Sequence, residues 1–205
     1  MSAVFDAQTF LSVFVTLIVI MDPPGAMPIF LALTGSLTQR QKVAAARRAS
    51  LVALGVISSF ALFGQQILGY LHISLAALQG AGGLLLLLVA LQLLTGSEQE
   101  QHADAGVNVA LVPLGTPLLA GPGAIVATML AVEKAHGSGP LISVGLALVA
   151  VLLVVWLFLR FAGRIHRVLK DSGTVLLTRI AGLLLSAIAV QMVADSVHAF
   201  VTSAR

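Results

Sequence analysis

Six stretches of the chain, each about 20 residues long, run with almost no charge, the length of helix that crosses a bilayer core. They fall at about 9–34, 44–64, 74–95, 108–132, 140–160 and 176–200. Only 9% of the 205 residues are charged, against about 25% in an ordinary soluble domain. With 59% hydrophobic residues and a mean hydropathy of +1.05, more apolar surface is present than a water-soluble core of this size buries. Some of it must face lipid. There the backbone has to satisfy its own hydrogen bonds, which leaves helices or a closed barrel. The runs are continuous and Leu/Ala-rich rather than alternating, which excludes the barrel. The expectation is an all-α integral membrane protein with six transmembrane helices in a single transmembrane domain, 1–205.

The N-terminal "MSAVFDAQTF" lacks the basic region of a signal peptide, so the first run counts as a span. There is no cysteine, hence no disulfide or thiol chemistry. The net charge of +3 is not a nucleic-acid footprint, because the basic residues cluster in two loops. One loop carries Arg40, Lys42, Arg47 and Arg48; the other, with its flanks, carries Arg160, Arg164, Arg167, Lys170 and Arg179. Only Lys134 and Arg205 fall on the opposite side. Basic loops stay in the cytoplasm, so both termini are expected outside, in the periplasm of a Gram-negative cell.

The two halves resemble each other. Pro24-Gly25-Ala26-Met27 matches Pro122-Gly123-Ala124-Ile125 at an offset of 98 positions, and "GLLLLLVALQ" from Gly83 matches "GLLLSAIAVQ" from Gly182 at 99. A polar linker at 97–107, expected on the cytoplasmic side, separates repeat 1 (1–96) from repeat 2 (108–205). Each repeat has three spans, an odd number, so the second enters the membrane from the opposite face. That is the inverted repeat common among secondary transporters, here with helices 1 and 4 broken.

The breaks come from "MDPPGAMPIF" and "PLGTPLLAGPGAI". Proline lacks an N–H and its ring clashes with the carbonyl four residues back. Past each break a half-helix starts whose first amides, at Gly25–Met27 and Gly123–Ile125, lack helical acceptors. Irregular backbone at membrane depth persists only in a protein interior or beside a wet cavity. Two such breaks in equivalent spans are expected to face each other near the midplane and to hold a small zwitterion. Half-helix N-termini take the carboxylate, while Asp22 and the freed carbonyls take an ammonium, H⁺ or Na⁺. The expected substrate-binding residues are Asp22, Pro23, Gly25, Ala26, Met27, Gly121, Pro122, Gly123, Ala124 and Ile125, with Gly25, Gly121 and Gly123 allowing close approach. Asp22 and Asp195 are the acids placed in the membrane, where such groups line ion or substrate paths; a one-turn shift would put Asp195 at the boundary instead.

Plainer roles stand beside these. Proline also serves as a simple kink, Asp22 as an N-cap, and Gln92 and Gln191 as interhelical glue. "GAGG" at Gly80–Gly83 suits close helix packing. His102, His166 and His198 have no metal-ligand spacing, and no Walker loop, zincin motif or nucleophile elbow is present. No enzyme activity, metal or organic cofactor is expected, only H⁺ or Na⁺ as a coupling ion.

The chain resembles the MarC family of bacterial and archaeal membrane proteins, which includes the small neutral amino-acid transporter SnatA. "DPPGAMPIFLALT" (Asp22 to Thr34) and "PLGTPLLAGPGAI" (Pro113 to Ile125) carry the likeness. Pro24 stands where an aliphatic residue is commoner in the family's first motif. The resemblance implies six transmembrane helices, a distant relation to LysE-type exporters, and movement of glycine, alanine and similar solutes across the bacterial inner membrane. The function expected is therefore secondary transport of small neutral amino acids by alternating access, in the lipid bilayer and with a homo-oligomer allowed. The rival functions are export of hydrophobic drugs, which 5% aromatic residues serve poorly, or of other small metabolites, and a membrane scaffold or assembly protein without substrate.

Overall fold

The structure is a computed structural model that describes residues 5–96 and 119–203. The described residues are helical, with no strand: α1 (Ala7–Met21), α2 (Pro23–Leu33), α3 (Gln39–Tyr70), α4 (Leu75–Thr95), α5 (Pro122–Lys134), α6 (Ser138–Arg160) and α7 (Ala162–Ser203). Five stretches among them are long and apolar enough to cross a membrane: Ala7–Leu33, which joins α1 to α2, then Gln39–Tyr70, Leu75–Thr95, Ser138–Arg160 and Ser172–Thr202. The linker at 97–107 and the first part of the expected fourth span, 108–118, lie outside the described residues. The end of that span forms most of α5.

Local signals set the helix ends. Asp6 caps α1 by accepting from the amides of Gln8 and Thr9. A capping box between Thr38 and Gln41 starts α3 at Gln39, ahead of the apolar run expected to begin at 44. The helix then continues to Tyr70 rather than stopping at 64, because its charged and polar end turns project beyond an apolar middle. Ser74 caps α4 and Gly96, at φ 80°, ends it. Helix α7 bends at Lys170 (φ 54°, ψ 179°). The bend divides a short first arm from the membrane-length arm.

Helix α6 is the central post. Val144, Leu148, Val151, Leu152, Val155 and Leu159 are buried at helical spacing and share one core with Val13, Leu17 and Met21 of α1, Met27 and Phe30 of α2, and Ala46, Ala49, Ala53 and Ile57 of α3. The alanines let α3 approach closely. At the far end of α6, Ser143 Oγ accepts from the Asp6 amide at 2.8 Å and fastens α1 to it.

A second core joins α4, α5 and α7. From α4 it takes Leu86, Ala90 and Leu93; from α7 it takes Leu185, Ala189 and Met192. These are the same three positions displaced by 99. The antiparallel contact repeats the relation. A methyl at Gly83 would lie 2.9 Å from the Ala189 carbonyl oxygen, and one at Gly182 would lie 3.2 Å from the Ala90 carbonyl oxygen. Shifting 83 and 189 by 99 in opposite senses gives 182 and 90. Packing between lipid-embedded helices rests on such close approach by small residues, and "GAGG" does this work. Gly80 faces Ser196, Gly82 faces Val126, and Gly83 faces α7. Ser196 also donates to the Ala76 carbonyl at 2.7 Å, tying α7 to α4. The outward surfaces are greasy: Leu62, Leu84, Leu88, Leu153 and Leu183 are each more than half exposed, as a lipid-facing belt requires.

Candidate functional site

Asp22 is the hinge of the first break. It adopts the left-handed conformation (φ 36°, ψ 69°) and separates α1 from α2. Among L-residues, Asp and Asn tolerate that region best. Pro23 and Pro24 then occupy the first two positions of α2, where proline is favoured because those amides have no helical acceptor. The Ala26 amide donates back to the Asp22 carbonyl at 3.0 Å, and Met27 donates within the helix. Of the expected donors at Gly25–Met27, helix geometry leaves Gly25 alone with an N–H to offer, since Pro23 and Pro24 have none. Pro28 sits inside α2, which deprives the Pro24 carbonyl of its helical donor.

The second break has the same logic with a different residue at the turn. Gly121, in extended conformation, precedes Pro122 at the start of α5. The amides of Ala124 and Ile125 both donate to the Gly121 carbonyl, at 3.1 and 3.2 Å. Gly123 is thus the position whose N–H the helix does not use. Three expected donors per half-helix narrow to one each, on the two glycines related by the repeat, and both glycines are buried.

Asp22 is 6% exposed. A methyl at Gly25 would overlap its carboxylate and come 3.3 Å from Thr178 Oγ1 of α7, so Asp22, Gly25 and Thr178 converge on one point. At Gly123 a methyl would overlap Leu86 of α4. Pro23, Ala26, Met27 and Ala124 are buried, Gly121 and Ile125 half-buried, and Pro122 exposed. Met21, Ala26 and Met27 belong to the same contiguous core as Leu119, Ala120 and Ala124, so the two breaks share one interior.

Two cavities flank that interior. At the end where α1 begins, a cleft of about 490 Å³ opens between α1, α4, α5 and α7. Its polar lining is Asp6, Gln8, Thr9, Ser12, Thr16, Gln79, Lys134 and Asp195, and no aromatic side chain takes part. Asp6, just ahead of the first span, accepts from the Thr9 hydroxyl at 2.6 Å; chiefly through that bond its carboxyl is held below the usual aspartate value. Asp195 is half-buried and accepts from Gln191 Nε2 at 2.6 Å, so Gln191 supports an acid at the cleft rather than gluing helices. At the basic end, a cavity of about 60 Å³ is lined by Gly25, Pro28, Gln92, Thr174, Thr178 and Arg179 among others. On α1 and α2 the cleft reaches down to Leu17 and the small cavity up to Gly25. The seven residues between them, eight steps or about 12 Å of helical rise, contain the Asp22 hinge. Leu86, Gly123 and Leu185 are buried at the corresponding level of the other helices.

A proline-glycine break in each half, with the acid ahead of the first, is the pattern that distinguishes this chain from a generic helical bundle. The sequence model of the MarC family integral membrane proteins matches residues 7–201. The chain belongs to the MarC family. Relatives include the UPF0056 membrane protein MJ1677 of Methanocaldococcus jannaschii, 38% identical over 200 residues, which cover 94% of this chain and 98% of the relative. YvbG of Bacillus subtilis is 31% identical over 191 residues, covering 88% of this chain and 90% of the relative. YhcE of Escherichia coli is 30% identical over 205 residues, 94% of each chain. Each is described as a membrane protein of the UPF0056 group. No solved structure matches the chain.

Within this MarC protein the first motif spans the hinge and all of α2, and the described part of the second enters α5. The residues that sequence reasoning passed over are Ser12, Thr16, Gln79 and Thr178. The first two were legible: Thr9, Ser12 and Thr16 recur at helical spacing on one face of an otherwise apolar run. Gln79 and Thr178 gave no such signal, being single polar residues whose cavity is made by other helices. Among the described residues, no three His, Asp or Glu side chains gather as a metal site would require.

Proposed function

We propose that this MarC protein is a secondary transporter of small neutral amino acids, glycine and alanine first, working by alternating access in the bacterial plasma membrane. One observation carries the reading: two half-helices start at proline breaks, each with a buried glycine, Gly25 or Gly123, in its first turn, in a layer between cavities that open toward opposite ends of the bundle. A closed layer with a vestibule on each side is what alternating access needs. The reciprocal Gly83–Ala189 and Gly182–Ala90 contact supports an inverted repeat, with rocking of one half against the other about that pair. The Gly25 and Gly123 amides bind the substrate carboxylate. Asp22 beside Thr178 binds the ammonium group or the coupling H⁺ or Na⁺.

The cleft at the α1 end suits a zwitterion, because Lys134 faces the same space as Asp6 and Asp195. Its lack of aromatic lining disfavours hydrophobic drugs as substrates. The orientation that goes with this mechanism puts the basic end in the cytoplasm and the cleft outside.

The deciding experiment is flux of labelled alanine in proteoliposomes under separately imposed proton and sodium gradients. Asp22→Asn keeps the left-handed preference and the size of the side chain, so it inserts and folds. It is expected to abolish transport or to strip away its ion dependence. Wild-type rates with unchanged ion dependence would remove Asp22 from the mechanism. Absence of saturable flux in the unaltered protein would favour a scaffold.

A further inference from the structure

The basic end of the bundle holds a groove that transport does not use. It occupies about 500 Å³ between the first turns of α3 and the elbow joining α6 to α7, and Gln39, Arg160, Phe161, Gly163, Arg164 and Arg167 line it. The three arginines are brought there by two different helices, and aromatic rings hold two of them, Arg160 and Arg164. The Arg160 guanidinium lies 5.1 Å from the Trp156 ring centre and 5.6 Å from that of Phe161, and Arg164 lies 5.8 Å from Phe161. Stacking of this kind orients a guanidinium without consuming its N–H donors. The α7 helix starts at the elbow, where the amides of Arg164 and Ile165 both donate to the Phe161 carbonyl. The Ala162 and Gly163 amides, just ahead of these in the same first turn, have no helical acceptor. Arginine forks and first-turn amides are the donors that phosphate oxygens take. Among the described residues no ion pair involves Arg160, Arg164 or Arg167.

Below the groove, α6 presents a continuous track to the surroundings. Val149, Leu153, Leu157 and Phe161 recur every four residues on one face, and they are 51%, 54%, 38% and 37% exposed. Twelve residues of helix cover about 18 Å, slightly more than one leaflet of a hydrocarbon core about 30 Å thick. We infer that this groove is a binding site for an anionic phospholipid, with the phosphate held by Arg160, Arg164 and Arg167 and an acyl chain lying along the α6 track. Charge complementarity selects an anionic headgroup, and the track selects a lipid over a soluble phosphate. Basic pockets beside transmembrane helices at the cytoplasmic face are suited to such headgroups.

The test uses the full-length protein, delipidated in detergent, and follows thermal unfolding and native mass spectrometry during titration. Phosphatidylglycerol is expected to stabilise the protein and remain bound, whereas phosphatidylcholine, inorganic phosphate and glycerol phosphate do neither. Arg164→Gln with Arg167→Gln should weaken phosphatidylglycerol binding by about tenfold or more, each charge near a membrane surface contributing a factor of about five. Both side chains are exposed, so the variant folds; a monodisperse elution and unchanged helical circular dichroism verify that. The control, Arg48→Gln, removes a charge from the same end outside the groove and should leave binding unchanged. Equal stabilisation by phosphatidylcholine, an equal loss in the control, or an equal response to inorganic phosphate would each overturn the assignment. The first two would mean a non-specific bilayer effect, and the third a soluble-anion site.

Discussion

Gly123 shows how little room the interior leaves. A single methyl there would overlap Leu86, and the side chain it would displace is 3% exposed and packed on all sides. Overpacking of this kind costs about 1–3 kcal/mol. Gly123→Ala is therefore expected to lower the unfolding temperature and slow alanine flux. Leu86→Ala added to it should recover part of both losses, because the two side chains compete for one space. Thermal unfolding of the two single variants and the double variant would measure that coupling; strict additivity would mean the two sites do not meet. Asp22 and Gly123 differ in legibility. The acid, the prolines and the glycines were plain in the sequence as a broken helix. That the prolines themselves reduce the donors to one amide per break was not read there, because it depends on where each helix begins. One residue of shift changes which N–H is free.

Between elements, the contact of α4 with α7 is made by glycines whose replacement has a defined steric cost. Gly83→Ala puts a methyl 2.9 Å from the Ala189 carbonyl oxygen and Gly182→Ala puts one 3.2 Å from the Ala90 carbonyl oxygen. Neither obstacle is a flexible side chain, so the helices must move apart. Each substitution is expected to destabilise the protein, with Gly83→Ala the worse of the two. Gly145→Ala on α6 meets nothing within 4 Å and gains helix propensity worth up to about 1 kcal/mol, so it should be neutral or stabilising. Unfolding in a common detergent would rank the three, and a destabilised Gly145→Ala beside an unaffected Gly83→Ala would refute this account of the packing. The offset of 99 was visible in the sequence as matching letters. Its physical meaning, two helices meeting through the same positions, required the pair to be seen in contact.

For the whole molecule, the two cavities make a prediction about access. The chain has no cysteine, so a single introduced thiol reports without background. Thr16→Cys, in the larger cleft, should react with a membrane-impermeant maleimide added on the side of the α1 end, and alanine should slow the reaction. Leu86→Cys, in the closed layer, should resist the reagent from both sides. Thr178→Cys, at the smaller cavity, should react slowly and only from the basic end. Labelling of Leu86→Cys as fast as Thr16→Cys would mean that no closed layer separates the cavities.

Composition, periodicity and the prolines alone determined that this chain lives in a membrane as helices, that helix is interrupted at Asp22 and begins anew at Pro122, and which end gathers positive charge. Those properties are local: a proline ends a helix whatever surrounds it, and a run of leucines seeks lipid wherever it lies. Only the tertiary structure decided that Thr178 meets Asp22, that Asp195 shares a cleft with Asp6 and Lys134, and that arginines from two helices close a groove against α3. Each of those is a meeting of side chains far apart in the chain. Helix packing, set by where glycine and alanine let backbones approach, chooses the partners.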